Sequence, residues 1–117
     1  MGKTTHVDYD KEEDILSLSY PDKVKDSVRL EDIIIDFNYN SKIVGIEIIN
    51  ARRFFESFDI TADYLNYITS AKLKVNYGTR WFSIMIILFS KKGTQHIEKE
   101  ITIPAFDNPY TKVAVPA

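Results

Sequence analysis

Polar and apolar residues alternate with a period of two along most of the chain, the rhythm of half-buried β-strands. "HVDYD" (residues 6–10) and "ILSLSY" (15–20) flank the polar "KEED" and predict a hairpin. "VRLEDIIIDFNY" (28–39) puts Ile33, Ile35 and Phe37 on one parity and Asp32, Asp36 and Asn38 on the other, which predicts one further strand. "NYNS" supplies turn chemistry. "KIVGIEII" (42–49) follows as a fourth strand, with Val44, Ile46 and Ile48 on a common face. This half of the chain reads as an antiparallel meander.

The rhythm changes at residue 50. Asn50 is suited to cap a helix, and Phe54, Phe55 and Phe58 form an apolar stripe behind it. Thr61 is a second N-cap candidate, with Asp63 in the first turn and Tyr64, Leu65 and Ile68 as the apolar positions. Such short helices persist only by packing. A second meander is predicted from "AKLKVNY", "RWFSIMIILFS" and "QHIEKEITI", joined by turns at "GT" and "KKGT", and the proline-bearing tail from residue 104 is expected to be an extended arm. The predicted fold is a single α+β domain over residues 1–117: two antiparallel β-meanders of about seven strands in all, bridged by one or two short helices between residues 51 and 70.

The strand over residues 80–90 breaks the one-sided pattern. Its even positions Phe82, Ile84, Ile86 and Leu88 are wholly apolar and suit a core beneath the helices. Its odd positions Trp81, Ser83, Met85, Ile87 and Phe89 are nearly as apolar, whereas a strand with one wet face should alternate. Either the N-terminal meander covers the second face, giving a monomeric sandwich, or a second copy does. Aromatic residues and methionine are enriched at interface centres. The expectation is therefore a homodimer with Trp81, Met85, Ile87 and Phe89 at its interface.

Composition narrows the choice of partners. The formal net charge is -2, without the basic excess that strong nucleic-acid binding draws on. There is no cysteine, which excludes disulfides, thiolate catalysis and cysteine-based zinc sites. The N-terminus has no apolar signal-peptide region, and "WFSIMIILF" falls far short of a membrane span, so a cytoplasmic location and no membrane partner are expected. Abundant isoleucine with one glutamine suits a heat-adapted source, though codon bias produces the same composition.

Tyr9, Asp10, Glu12, Asp14, Leu16 and Leu18 fit a "YD…E.D.L.I" hairpin, and Asp36, Ile43, Val44, Gly45, Ile46, Glu47, Ile48 and Ala51 fit an "I.D" strand followed by "VGIEI..A". In these residues, about 9–56, the chain resembles the DUF2283 family of small prokaryotic proteins. It departs from the pattern at Ser41, where a turn glycine is expected. The resemblance implies a ββββα core over residues 7–56, with residues 57–117 adding a helix, a three-stranded meander and the arm. It brings no established activity or cofactor and suggests a partner-binding role.

Few residues group as chemical sites. "GKTT" lacks the upstream strand and glycine of a phosphate loop. "DYDKEED" lacks the glycine and late glutamate of a calcium loop and reads as a solvated turn. His96, Glu98 and Glu100 project from one face of a strand and, with His6 and Asp8, form a candidate metal or enzyme site; the alternative is the wet side of a sheet. Lys72, Lys74 and Arg80, interleaved with Tyr77, Trp81 and Phe82, are candidates for gripping single-stranded nucleic acid; the alternative is an amphipathic strand. Arg52 and Arg53 open the corner helix, where positive charge is disfavoured, and are expected to answer Glu47 or Asp36. Gly45 is expected to permit a bulge or close helix packing. No nucleophile elbow, Rossmann glycine pattern or zincin motif is present, so no catalytic residue is assigned. The leading reading is a non-enzymatic interaction or accessory module working through self-association or a protein partner, ahead of an enzyme and a nucleic-acid binder.

Overall fold

The computed structural model describes residues 5–107. Its elements run β1 (His6–Asp10), β2 (Ile15–Ser19), β3 (Asp26–Leu30), β4 (Ile33–Phe37), β5 (Ile43–Ile49), α1 (Ala51–Glu56), α2 (Ala62–Asn66), β6 (Ile68–Tyr77), β7 (Trp81–Lys92) and β8 (Gln95–Asp107). All pairings are antiparallel. One sheet has five strands in the order β1-β2-β5-β4-β3, the other three in the order β6-β7-β8, and the two helices lie between them in the chain. The α+β class with two antiparallel sheets and two short helices is as the hydrophobic pattern predicts.

Two details correct that pattern. The stretch expected as one strand over residues 28–39 is a hairpin, β3 and β4, which raises the strand count among the described residues to eight. Its two-residue turn holds Glu31 at φ 55, a backbone region that glycine or asparagine usually marks, so no turn signal stood in the sequence. The first sheet is also not a simple meander, because β5 inserts between β2 and β4. Centrality suits β5: Ile46 and Ile48 are fully buried on its inner face, and neighbours flank it on both edges.

The sheets share one core. Leu16, Leu18, Ile35, Phe37, Ile46 and Ile48 face Leu73, Phe82, Ile84, Ile86, Ile101 and Ile103, with Phe55 and Leu65 of the helices in the same cluster. Phe37 and Phe82 meet edge to face with centroids 6.2 Å apart. Each such fully buried side chain contributes roughly 1.5–3 kcal/mol. Where β4 and β5 slip by a residue, Ile43 rather than Val44 pairs with Phe37, and the Ile43 N–H turns to the Tyr77 hydroxyl of the second sheet, 2.8 Å away. The Tyr20 hydroxyl donates to the Leu73 carbonyl across the same junction. These two tyrosines satisfy backbone groups that a bulge and a sheet edge leave without ladder partners.

The strand-to-helix corner is built differently from its sequence reading. Asn50 takes a left-handed conformation and its side chain caps nothing; Asp14 of the β1–β2 turn accepts the Arg52 N–H at 3.1 Å instead. The Asp14 carboxylate also receives the Tyr9 hydroxyl at 2.7 Å and lies 3.5 Å from the Arg52 guanidinium. Arg53 pairs with Asp32 at 3.0 Å. The arginines therefore answer Asp14 and Asp32, not Glu47 or Asp36, because both hairpin turns converge on the helix start. The Arg53 hydrogen bond, helped by Asn50, holds the Asp32 carboxyl below the usual range. Gly45 sits on the outer face beside the bulge, away from the helices. A Cβ there would lie 3.0 Å from the Asp36 carboxylate and 3.3 Å from the Leu18 carbonyl. Ser41 adopts φ 58, the conformation for which the family pattern favours glycine.

Thr61 caps α2 as expected, accepting the Tyr64 N–H at 3.3 Å. Both helices are shorter than their apolar stripes: Phe58 lies beyond α1 and Ile68 begins β6. β8 runs to Asp107, so the first residues of the expected arm are strand, on a sheet edge where proline is tolerated. The rest of that arm lies outside the described residues, as does the "GKT" of the N-terminal motif.

Candidate interaction face

β7 has one face in the core and the other, partly exposed, turned outward. Phe82, Ile84, Ile86 and Leu88 are buried beneath the helices and the five-stranded sheet, as their parity predicts. That sheet covers the even face only, so the odd residues Ser83, Met85, Ile87 and Phe89 form the outer face of the three-stranded sheet, with Trp81 at its end. The packed partner expected as one solution for the odd face is thus on the opposite side.

The registers define what flanks this strip. Ile87 lies between Lys72 on β6 and Glu100 on β8. Phe89 lies between Ser70 and Glu98, and Met85 between Lys74 and Thr102. An apolar strip along the middle strand therefore has lysines along one side and glutamates along the other. Ile87 is only 8% exposed although it points outward. Lys72 extends along the strip, its ammonium 5.8 Å from the Phe89 ring centre. Among the described residues, the side chains of Lys74, Glu98 and Glu100 make no hydrogen bond or ion pair.

Beneath this face the sheet is tied to α2. The Tyr64 hydroxyl reaches the carbonyls of Leu88 at 2.8 Å and Ile97 at 2.9 Å. Burial, reinforced by the negative charge of Glu98, pushes the Tyr64 phenol up to about 12. Lys92 pairs with Asp63 at 2.9 Å, and the Asp63 hydrogen bond raises its pKa.

The other candidate sites fare as follows. His96, Glu98 and Glu100 share the outer face of β8 and are exposed. His6 and Asp8 lie on β1, in the other sheet, and the edge that approaches β1 is β6, not β8. Among the described residues no three His, Asp or Glu side chains gather closely enough to hold a metal ion. The nucleic-acid candidates also divide. Phe82 is in the core, Tyr77 bonds to Ile43 beneath the Lys42 ammonium, and Arg80 sits in the β6–β7 turn. Trp81 is 44% exposed and its indole lies over Gly78, where any Cβ would collide with it. Lys72 and Lys74 share their face with two glutamates, a mixed field rather than a basic one. A cleft of about 690 Å³ opens where β1 and β6 diverge, lined by Thr5, His6, Tyr20, Pro21 and Ser70 among others. It gathers hydroxyls but no cluster of charged groups.

The residues shared with the family pattern are those that build the first sheet and its corner: Tyr9 and Asp14 in their hydrogen bond, Leu16, Leu18, Ile46 and Ile48 in the core, Gly45 under Asp36, and Ala51 fully buried at the helix start. Residues 6–52 match the family described as protein of unknown function, DUF2283. The chain belongs to that family. An uncharacterized protein of Methanocaldococcus jannaschii is 38% identical over 90 residues, covering 74% of this chain and 75% of the relative. No solved structure matches the chain. The match to the relative is longer than the family segment, so the likeness extends beyond the first sheet. Among the described residues no helix is long and apolar enough to cross a membrane.

Proposed function

We propose that this family member is a non-enzymatic interaction module that self-associates through the outer face of β6, β7 and β8. The observation carrying this reading is the Met85, Ile87 and Phe89 strip, set between lysines and glutamates that have no ion-pair partner among the described residues. A bare apolar strand invites uncontrolled association, whereas one flanked by opposite charges accepts a partner of matching pattern. The same chain supplies that pattern. Three strands of about ten residues offer a patch of roughly 15 by 30 Å on each copy, about 900 Å² in all and below the range of stable interfaces, so a weak dimer of about micromolar affinity at best is expected. Such an affinity also fits the partial shielding of Ile87, which reduces the apolar area left to bury.

Sedimentation velocity over a concentration series tests the reading. Wild-type protein is expected to pass from monomer to dimer across the micromolar range. Met85→Asp with Phe89→Lys, both outward-facing changes, is expected to give a folded monomer. Wild-type protein that stays monomeric at several hundred micromolar would rule the proposal out.

A further inference from the structure

We infer that the two copies are related by a two-fold axis running along β7, so that the lysine side of each face lies over the glutamate side of the other. This rests on the reading of the face as a self-association surface and specifies its geometry. Two such sheets packed face to face stand about 10 Å apart with strands within about 30° of each other. The two-fold axis of that packing lies between the sheets, parallel to them, and runs either along the strands or across them.

The two choices bring different charges together. An axis across the strands returns β6 onto β6 and β8 onto β8, so the lysine-bearing strand faces its own copy and the glutamate-bearing strand faces its own. An axis along β7 returns β6 onto β8. Residues of one row then stay in that row, because rotation about the strand direction preserves position along it. Lys72, Ile87 and Glu100 form one row. Lys72 therefore meets Glu100 of the second copy, Ile87 meets Ile87, and Glu100 meets Lys72. In the rows on either side Lys74 faces Thr102 and Ser70 faces Glu98, so the Lys72–Glu100 contact, made twice, carries the charge complementarity. Like charges facing each other at an interface are costly and opposite charges steer and register it, so the pattern selects the axis along β7.

Charge reversal with restoration tests this arrangement, read as the dimer dissociation constant by sedimentation equilibrium, with far-UV circular dichroism confirming the fold. Lys72→Glu is expected to weaken the dimer by roughly tenfold or more, since both symmetric contacts turn from attraction to repulsion. Glu100→Lys should act alike, and either single variant suffices should the other fail to fold. Lys72→Glu combined with Glu100→Lys restores both contacts and is expected to return within about threefold of wild type. Dimerisation unchanged by either single reversal but lost in Met85→Asp would leave the face correct and overturn the axis. A dimer that survives Met85→Asp would overturn the face itself, and the axis with it.

Discussion

Asp14 joins Tyr9, the start of α1 and Arg52 at the corner, so Asp14→Ala is an informative single change. The substitution removes the acceptor of the Arg52 N–H at the start of α1, a loss worth about 1 kcal/mol for a typical cap. It removes the acceptor of the Tyr9 hydroxyl's 2.7 Å hydrogen bond, for about another 1 kcal/mol. Asp14 also adopts φ 58, where alanine is less at ease than aspartate, adding roughly 1 kcal/mol. The Arg52 ion pair adds little, because that guanidinium is more than half exposed. The sum, about 2–4 kcal/mol, is a large part of the 5–15 kcal/mol by which domains of this size are stable. Urea unfolding followed by far-UV circular dichroism measures it. Asp14→Asn keeps an acceptor oxygen and tolerates the left-handed backbone, so its loss should be about 1 kcal/mol or less. Tyr9→Phe in a double-mutant cycle should show coupling of at least ~0.5 kcal/mol. An alanine variant within ~0.5 kcal/mol of wild type, with no coupling to Tyr9, would refute the assignment of Asp14 as the cap.

Two further expectations concern the second sheet and its tyrosines. His96→Ala with Glu98→Ala should change stability by less than about 1 kcal/mol, since both side chains are exposed, and neither zinc nor manganese should shift the unfolding midpoint; a large loss rescued by metal would mark a site that the described residues do not assemble. Stability should fall as pH rises from about 10 toward 12: Tyr9 and Tyr64 hold their protons up to about 12 in the folded chain, by burial first and then by the Asp14 hydrogen bond at Tyr9 and the negative charge of Glu98 at Tyr64, so ionisation at the ordinary tyrosine pKa favours the unfolded chain. Urea midpoints measured across that range, compared with Tyr64→Phe, check the sign; a midpoint that rises or stays level there would contradict it.

Local pattern was enough to read most elements. Period-two alternation identified the strands on both sides of the helices, and the Thr61 cap was legible because a capping side chain acts on N–H groups two or three residues away. The core parity of β7 was equally local, since alternate residues of a strand must face opposite ways. The hairpin at Glu31 was not legible, because a left-handed non-glycine turn is held by strand pairing on either side rather than by its own residue type. Pairing order escaped for the same reason: β2 and β5 meet across a connection that contains two whole strands. Long-range contact also decided the corner, where Asp14 and Asp32 replace the nearer candidates Asn50, Asp36 and Glu47. The outer face of β7 shows the division most plainly. Sequence alone set apart three groups, the apolar odd positions, the Lys72 and Lys74 pair, and the His96, Glu98 and Glu100 series, each with its own chemistry. Only the sheet registers placed them side by side as a strip between two opposite charges, because hydrogen bonding between strands joins residues that the chain keeps up to thirty positions apart.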